Sequence, residues 1–364
     1  MSRQSELAAL GRVADTGALS NRNLIINGAF QIFQRASSAT TVTDDNYVTA
    51  DRVHFWEGTD GAYTSEQSTD APDGFGYSMK LAVTTADTSL AAGQYAQFEM
   101  QKIEGQNLQS LAYGTNAAKD ITLSFWVKSN KTGTYTVTFR KPDTTRYQNV
   151  QEYTIDSANT WEKKIITVSP DSNIKDSGGA IGNDTGEGLS LFFNLALGST
   201  YNGATADTWS TNANHYGTTN QVNWMDSTSN ELYITGVQLE VGDTATEFEH
   251  RSYGDEFARC QRYYQRWGAI QQFAAGVFFQ ADQVLGHVPY FCEMRAAPTF
   301  TTSSAAFCKV YKLGGTIQST SGSFDIITTS SARLNIDLAS SGTGGQGACA
   351  QTETGAYFEA DAEL

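Results

Sequence analysis

The sequence predicts an all-β protein, a large β-sandwich followed by a short helix and a second, smaller β-sandwich. Three observations predict it. Short runs rich in Val, Ile, Thr, Tyr and Phe recur between Gly and Asn. Glycine is frequent, at 33 residues, while proline is scarce, at 5. Aromatic residues reach 12%. Strands punctuated by turn residues in this way are the signature of sandwiches. The length of 364 residues allows two to three domains.

Residues 1–22 have little to bury. In "SELAALGRVAD", Leu7, Leu10 and Val13 stand near helical spacing, and Gly11 weakens it. The segment is either a frayed terminus or an extended arm that orders against a partner. "NLIINGAFQIFQRA" (Asn23–Ala36) reads as an opening strand, with Phe30 and Ile32 alternating against Gln31 and Phe33.

The large sandwich is expected over 23–250. "DITLSFWVKS" (Asp120–Ser129) alternates Ile121, Leu123, Phe125 and Val127 against its neighbours. "GTYTVTFRK" (Gly133–Lys141) alternates Tyr135, Val137 and Phe139 against Thr134, Thr136 and Thr138. A period of two buries one face and wets the other. "TWEKKIITV", "GLSLFFNLAL" and "ELYITGVQLEVG" are further strands. Trp126 and Trp161, in regular strands, are expected to pack the sandwich.

A long polar stretch, 198–230, holds Tyr201, Trp209, His215, Tyr216 and Trp224 among Asn, Thr and Gly. So long a loop in a compact domain either carries function or hides strands. "GDEFARCQRYYQRW" (Gly254–Trp267) changes the period. Phe257, Cys260, Tyr264 and Trp267 step by three, four and three, the seam of a short helix expected over 251–267. Asp255 and Glu256 suit its start, Arg262 and Arg266 its end, and Gly268 stops it. A helix this short is marginal alone, so the four seam residues are expected near the axis of a homotrimer. β patterns resume over 268–364.

Thirty-nine acidic and 24 basic residues give a formal charge of -15. This argues against a nucleic-acid surface, which needs clustered Lys and Arg. No apolar run approaches the roughly 20 residues of a membrane span, so no membrane insertion is expected. No apolar block for export stands at the start. Cys260, Cys292, Cys308 and Cys349 lack metal-type spacing and read as free thiols. No nucleophile elbow, HExxH, P-loop or Rossmann glycine pattern occurs, and His54, His215, His250 and His287 are isolated. The protein is therefore not expected to be an enzyme, and no metal or other cofactor is expected.

"NLIINGAFQ", "LSFWVKSNKTGTYTVTF", "TWEKKIITV" and "LYITGVQLEVG" follow one another at suitable gaps. This order resembles carbohydrate-binding jelly-roll modules that open on N-L-x-x-N-G-x-F-E. Two departures stand out. Gln31 replaces the Glu after the first-strand Phe, and Thr235-Gly236 replaces an acidic residue of the closing strand. Those positions often support a structural calcium in such modules, so no calcium site of that type is expected. "GVQLEVGDTATEFEHRSYGDEFARCQRYYQRW" (Gly236–Trp267), "MRAAPTF" (Met294–Phe300) and "FEADAEL" (Phe358–Leu364) are similar to segments of bacteriophage tail-fibre and related virion appendage proteins.

The two resemblances imply a virion fibre, made in the host cytoplasm. Residues 1–22 would attach it to other tail proteins, and it would bind host surface polysaccharide without cleaving it. Sugars present apolar C–H faces to aromatic rings and hydroxyls to polar side chains. The candidate glycan-binding residues are therefore Trp209, Tyr216, His215, Tyr201 and Trp224. Packing within the sandwich is the competing role for these rings. The alternatives are a carbohydrate-binding module of a polysaccharide-degrading system and a head-attached decoration fibre.

Overall fold

The computed structural model describes residues 21–268, 270–340 and 342–364. The expected attachment arm, residues 1–22, lies outside them except for its last two residues. The chain divides into a first unit ending at Tyr253 and a second from Gly254 to Leu364.

The first unit is an antiparallel sandwich of two six-stranded sheets. Its strands are β1 (Thr40–Thr41), β2 (His54–Glu57), β3 (Ala62–Ser68), β4 (Ser78–Thr85), β5 (Tyr95–Glu104) and β6 (Ile121–Ser129). They continue with β7 (Gly133–Lys141), β8 (Tyr147–Ile155), β9 (Glu162–Val168), β10 (Glu187–Leu197), β11 (Trp209–Ser210) and β12 (Glu231–Val241). One sheet runs β1-β3-β4-β12-β6-β9 and the other β11-β8-β7-β10-β5-β2. The two-residue period decides what faces inward. Ile121, Leu123, Phe125 and Val127 are buried against Tyr135, Val137 and Phe139. Phe125 sits edge-on to Tyr153 at 5.1 Å and to Phe193 at 5.0 Å.

The same period corrects one expectation. Trp126 alternates with Phe125 and Val127, so it points out of the sandwich. Trp161 is also half-buried. It donates from Nε1 to Asp70 at 3.1 Å and meets Tyr233 edge-on, while the Lys128 ammonium lies 4.3 Å from the Tyr233 ring centre.

The opening stretch is not a strand. Asn27 and Phe30 hold positive φ, 62° and 50°, which breaks extended pairing. Two backbone bonds to β12 remain, Leu24 amide to Leu239 carbonyl and Val237 amide to Gly28 carbonyl, both 2.9 Å, and side chains supply the rest. Asn23 Oδ1 accepts from the amides of Ile25 (2.9 Å) and Leu239 (3.1 Å), and its Nδ2 donates to the Val237 carbonyl. Asn27 Oδ1 accepts from the Gln31 and Ile32 amides, both at 3.0 Å, and its Nδ2 donates back to Ile32. The strap lies on β12 where its pairing slips between Thr235 and Gln238, around Gly236 at φ +62°. Gly28 makes the approach possible, since a Cβ there would stand 2.1 Å from the Val237 carbonyl oxygen. Phe30 and Ile32 still reach the interior, at 0% and 1% exposure.

The segment after β12 closes over this strap. Buried Glu240 accepts from the Thr246 amide (2.9 Å) and pairs with Arg22 (3.3 Å). Glu249 accepts from the Asn23 amide at 3.0 Å, and Arg251 donates to the Ile25 carbonyl at 3.0 Å. The "GVQLEVG" and "ATEFEHR" pattern is thus a clasp joining the two ends of the sandwich.

The helix covers Tyr253–Gln261, starting on the last residue of the first unit, and is shorter than the expected 251–267. Asp255 and Glu256 occupy its first turn. The chain then becomes β13 (Tyr264–Gly268), because these residues pair with β21 (Tyr357–Asp361). The expected seam is divided between helix and strand, and most of it faces inward. Cys260, Tyr264 and Trp267 are at most 1% exposed within their own chain, and Phe257 is half-buried. Trp267 stacks on Phe358 at 4.7 Å and on Phe291 at 5.0 Å.

β13, β21 and β16 (Thr299–Thr302) form a small sheet. Six strands close a barrel in place of the expected sandwich: β14 (Gln272–Gln280), β15 (Gln283–Pro289), β17 (Cys308–Lys312), β18 (Gly315–Asp325), β19 (Ser331–Leu338) and β20 (Gly347–Thr352). Alternation alone does not separate the two architectures. Closure leaves no unpaired edge, since β14 pairs with both β15 and β20. All four cysteines are free thiols.

Asn23→Ala leaves the Leu239 amide and Val237 carbonyl without their side-chain partner. It should cost the first unit ~1–3 kcal/mol in denaturant unfolding. A change under ~0.5 kcal/mol would remove the clasp from its structural role.

Candidate functional site

The site is built on the outward parity of the second sheet. On β5, Ala96, Phe98 and Met100 enter the core. Tyr95, Gln97 and Glu99 therefore point away from it. β2 pairs Trp56 with Gln97 and His54 with Glu99. β7 contributes Thr136, Thr138 and Arg140, and β10 contributes Phe192 and Asn194, to the same face.

The polar 198–223 segment folds down onto part of this face. Asn194 Nδ2 donates to the Tyr216 carbonyl at 2.6 Å and to Thr138 Oγ1 at 3.1 Å. Gln221 accepts from Thr136 Oγ1 at 2.6 Å and donates to the Asn194 carbonyl at 3.1 Å. These bonds explain why Thr136, Thr138 and Asn194 are polar yet 0% exposed. Within the segment, the Tyr216 amide donates to the Tyr201 carbonyl at 3.0 Å, which sets the two rings side by side.

Where the covering ends, a cleft of about 180 Å³ opens. Trp56, Tyr95, Gln97, Arg140, Tyr201 and Tyr216 line it. Tyr95 and Tyr201 meet edge-on at 5.5 Å, and Tyr201 meets Tyr216 at 6.3 Å. Gln97 is only 6% exposed, and its Oε1 has no hydrogen-bond partner. Arg140 lies 4.8 Å over the Phe192 ring. Its Nη2 donates to Glu187 (2.7 Å) and Glu99 (3.2 Å), and its Nε to Glu187 (3.2 Å) and Ser190 (3.1 Å).

A buried charge network supports the cleft. Glu99 is fully buried, with Lys102 and His54 Nδ1 each 3.8 Å away. Burial raises its pKa against the pull of Arg140 and Lys102. Burial opposes the Arg140 charge too, but Glu99 and Glu187 outweigh it and raise that pKa. His54 is pushed down to about 3, by burial first and then by Lys102 and Arg140. It is neutral at ordinary pH, so its 3.3 Å contact with Asp45 is not an ion pair. Among the described residues, no group of three or more His, Cys, Asp or Glu could hold a metal ion.

Two of the five residues expected to touch glycan line the cleft, Tyr201 and Tyr216. His215 stands beside them, bonded to Asn212 at 2.7 Å. Trp209 and Trp224 are core residues. Trp209, on β11, is 4% exposed, donates to the Ser169 carbonyl at 3.0 Å and meets Tyr113 edge-on. Trp224 is fully buried in a 3₁₀ turn, 5.7 Å from Tyr63. Sequence reasoning missed Trp56, Tyr95, Gln97 and Arg140. A usable signal existed for two of them. Trp56 and Tyr95 occupy the parity opposite the core residues Phe55 and Ala96, and rings grouped on one solvent face mark a binding surface where a single ring does not.

No protein-family model matches the chain, and no curated protein does. Among solved structures, the chain is similar to a putative sugar-binding protein from Bacteroides thetaiotaomicron VPI-5482, with 12% identity, TM-score 0.34, and coverage of 60% of this chain and 99% of that one. It is similar to a family 11 carbohydrate-binding module of a Clostridium thermocellum cellulosomal cellulase, with 14% identity, TM-score 0.29, and coverage of 60% and 99%. It is also similar to the enzymatically active domain of tailspike protein 4 of bacteriophage CBA120, with 15% identity and TM-score 0.29. There the match covers 60% of this chain and spans 21% of the other. TM-scores this low support no functional conclusion, which rests on the chain's own geometry.

Two predictions follow from the cleft's supports. Below pH 6.5 the unfolded chain protonates His54 while the folded chain, with its value near 3, does not. Stability should therefore fall as pH drops below 6.5, by at most ~1.4 kcal/mol per unit from this group. His54→Asn should flatten that slope in urea unfolding at pH 7 and 5. An unchanged slope would mean that His54 titrates normally. Asn194→Val should cost ~1–3 kcal/mol by removing the donor to Tyr216. It should also open 198–223 to limited proteolysis, and a segment still resistant would show that other bonds hold it.

Proposed function

We propose that the first unit binds a host-surface glycan without cleaving it, and that the chain is a structural fibre protein of a bacteriophage virion. One observation carries the binding reading: a cleft walled by Trp56, Tyr95, Tyr201 and Tyr216, with the unpartnered side-chain oxygen of Gln97 in its lining. Rings offer stacking surface to C–H faces, and the amide needs a hydroxyl. The two carboxylates that contact Arg140 favour binding over hydrolysis. Glycoside hydrolysis uses two carboxyl groups in different environments flanking one bond. Glu99 and Glu187 both grip the same guanidinium.

The fibre reading draws on the resemblance of Gly236–Trp267, Met294–Phe300 and Phe358–Leu364 to virion appendage segments. In it, residues 1–22 join the particle and the chain is a homotrimer, so that weak sites gain avidity. Cys260, Tyr264 and Trp267 are already occupied within their own chain, so the contacts between copies come from other surfaces.

Trp56→Ala with Tyr95→Ala should lower affinity for host polysaccharide by ~10–100-fold, at ~0.5–1.5 kcal/mol per lost stacking contact, with unchanged unfolding of the core. Undiminished adsorption by a folded double variant would dismiss the cleft. Light scattering of the full chain should give the mass of three copies, and the mass of one would dismiss the trimer.

A further inference from the structure

We propose that the cleft takes one uncharged hexose ring of the glycan and rejects acidic sugars, with Gln97 and Arg140 reading the ring's hydroxyls. This rests on the glycan-binding reading above and specifies its ligand.

Size is the first argument. The cleft's space, about 180 Å³, has the scale of a single sugar ring with its hydroxyls and is too small to enclose several.

Hydrogen-bonding chemistry is the second. The Gln97 Oε1 is a buried acceptor without a donor. A carboxylate has no proton to give it, whereas a hydroxyl donates to Oε1 and accepts from the amide nitrogen. Arg140 tells the same way. Recognition of a carboxylate by Arg uses two parallel N–H groups. Its Nε and Nη2 are both committed to Glu187. Only Nη1 makes no hydrogen bond to the described residues, and one N–H suits one hydroxyl.

Charge is the third. Around Arg140 the cations Arg140 and Lys102 are matched by the anions Glu99 and Glu187. Beyond them stand Asp44, which accepts from the Tyr95 hydroxyl at 3.2 Å, and Asp45, 3.3 Å from neutral His54. Arg146, on the covering wall, spends its Nη2 on the Tyr216 hydroxyl (3.0 Å), Gln148 (2.7 Å) and the Ala213 carbonyl (3.1 Å), so an anionic sugar at the Trp56–Tyr95 end stands against Asp44 and Asp45. An uncharged ring pays no such penalty, so its binding should be insensitive to salt.

The test is titration of the full-length protein with uncharged tetrasaccharides of glucose, galactose, mannose and N-acetylglucosamine, against oligomers of galacturonate and of sialic acid. At least one uncharged series should bind, with an affinity that holds from low to high salt, and both acidic series should bind at least tenfold more weakly. Gln97→Met should weaken the uncharged ligand about tenfold or more, while tryptophan fluorescence still reports saturation. On the unaltered protein, removing single hydroxyls from that ligand should reproduce the loss at one or two positions, whatever the folding of the variant. Tighter binding of an acidic oligomer, or indifference to every hydroxyl removed, would overturn the proposal while leaving glycan binding intact. Failure of all series, neutral and acidic, would overturn the glycan reading beneath it.

Discussion

Asn194 sits at the centre of the constraint on which the site depends. It is fully buried on a sheet face that water would otherwise cover. Its amide holds the Tyr216 carbonyl and the Thr138 hydroxyl. A segment as polar as 198–223 cannot be laid on an apolar sheet without stranding its backbone groups. It can be laid on this one because β7 and β10 present Thr136, Thr138 and Asn194 outward. The covering stops short of β5 and β2. The cleft is the step between the covered and uncovered halves of one sheet, with Tyr201 and Tyr216 on the covering side and Trp56 and Tyr95 on the bare side. Arg140 lies on the boundary, fixed from beneath by Glu99 and Glu187.

The strands were legible because a period of two leaves a plain mark. Ile121, Leu123, Phe125 and Val127 were assigned to the core by alternation, and the same rule applied to Trp126 places it outside. The opening stretch was read as a strand because its apolar content is that of one. Several of its backbone bonds go to the side chains of Asn23 and Asn27, and nothing in a hydropathy pattern distinguishes such a strap from an edge strand. The helix was legible at its start, where Asp255 and Glu256 favour the N-terminal dipole. Its end was not, because pairing with Tyr357–Asp361 drew Tyr264–Gly268 into a sheet, and a partner about ninety residues away is invisible locally.

The site was half legible for a related reason. Composition identified 198–230 as unusual, and it supplies Tyr201 and Tyr216. Composition could not sort its rings, since Trp209 and Trp224 differ from the tyrosines only in lying on short regular elements that turn into the sandwich. The other half of the site belongs to β2, β5 and β7, strands whose pairing brings Trp56, Gln97 and Arg140 together from distant parts of the chain. The barrel of the second unit was legible as strands and not as a closed ring, because closure is a property of pairing between β14 and β20.

The most direct measurement is a crystal structure of the full chain grown with an oligosaccharide that it binds in solution. A sugar ring against Trp56 and Tyr95, flanked by Tyr201 and Tyr216 and with one hydroxyl on the Gln97 amide, is the result the account predicts. A sugar seated on the Trp161–Tyr233 face or on the second unit, with the cleft empty, would contradict it.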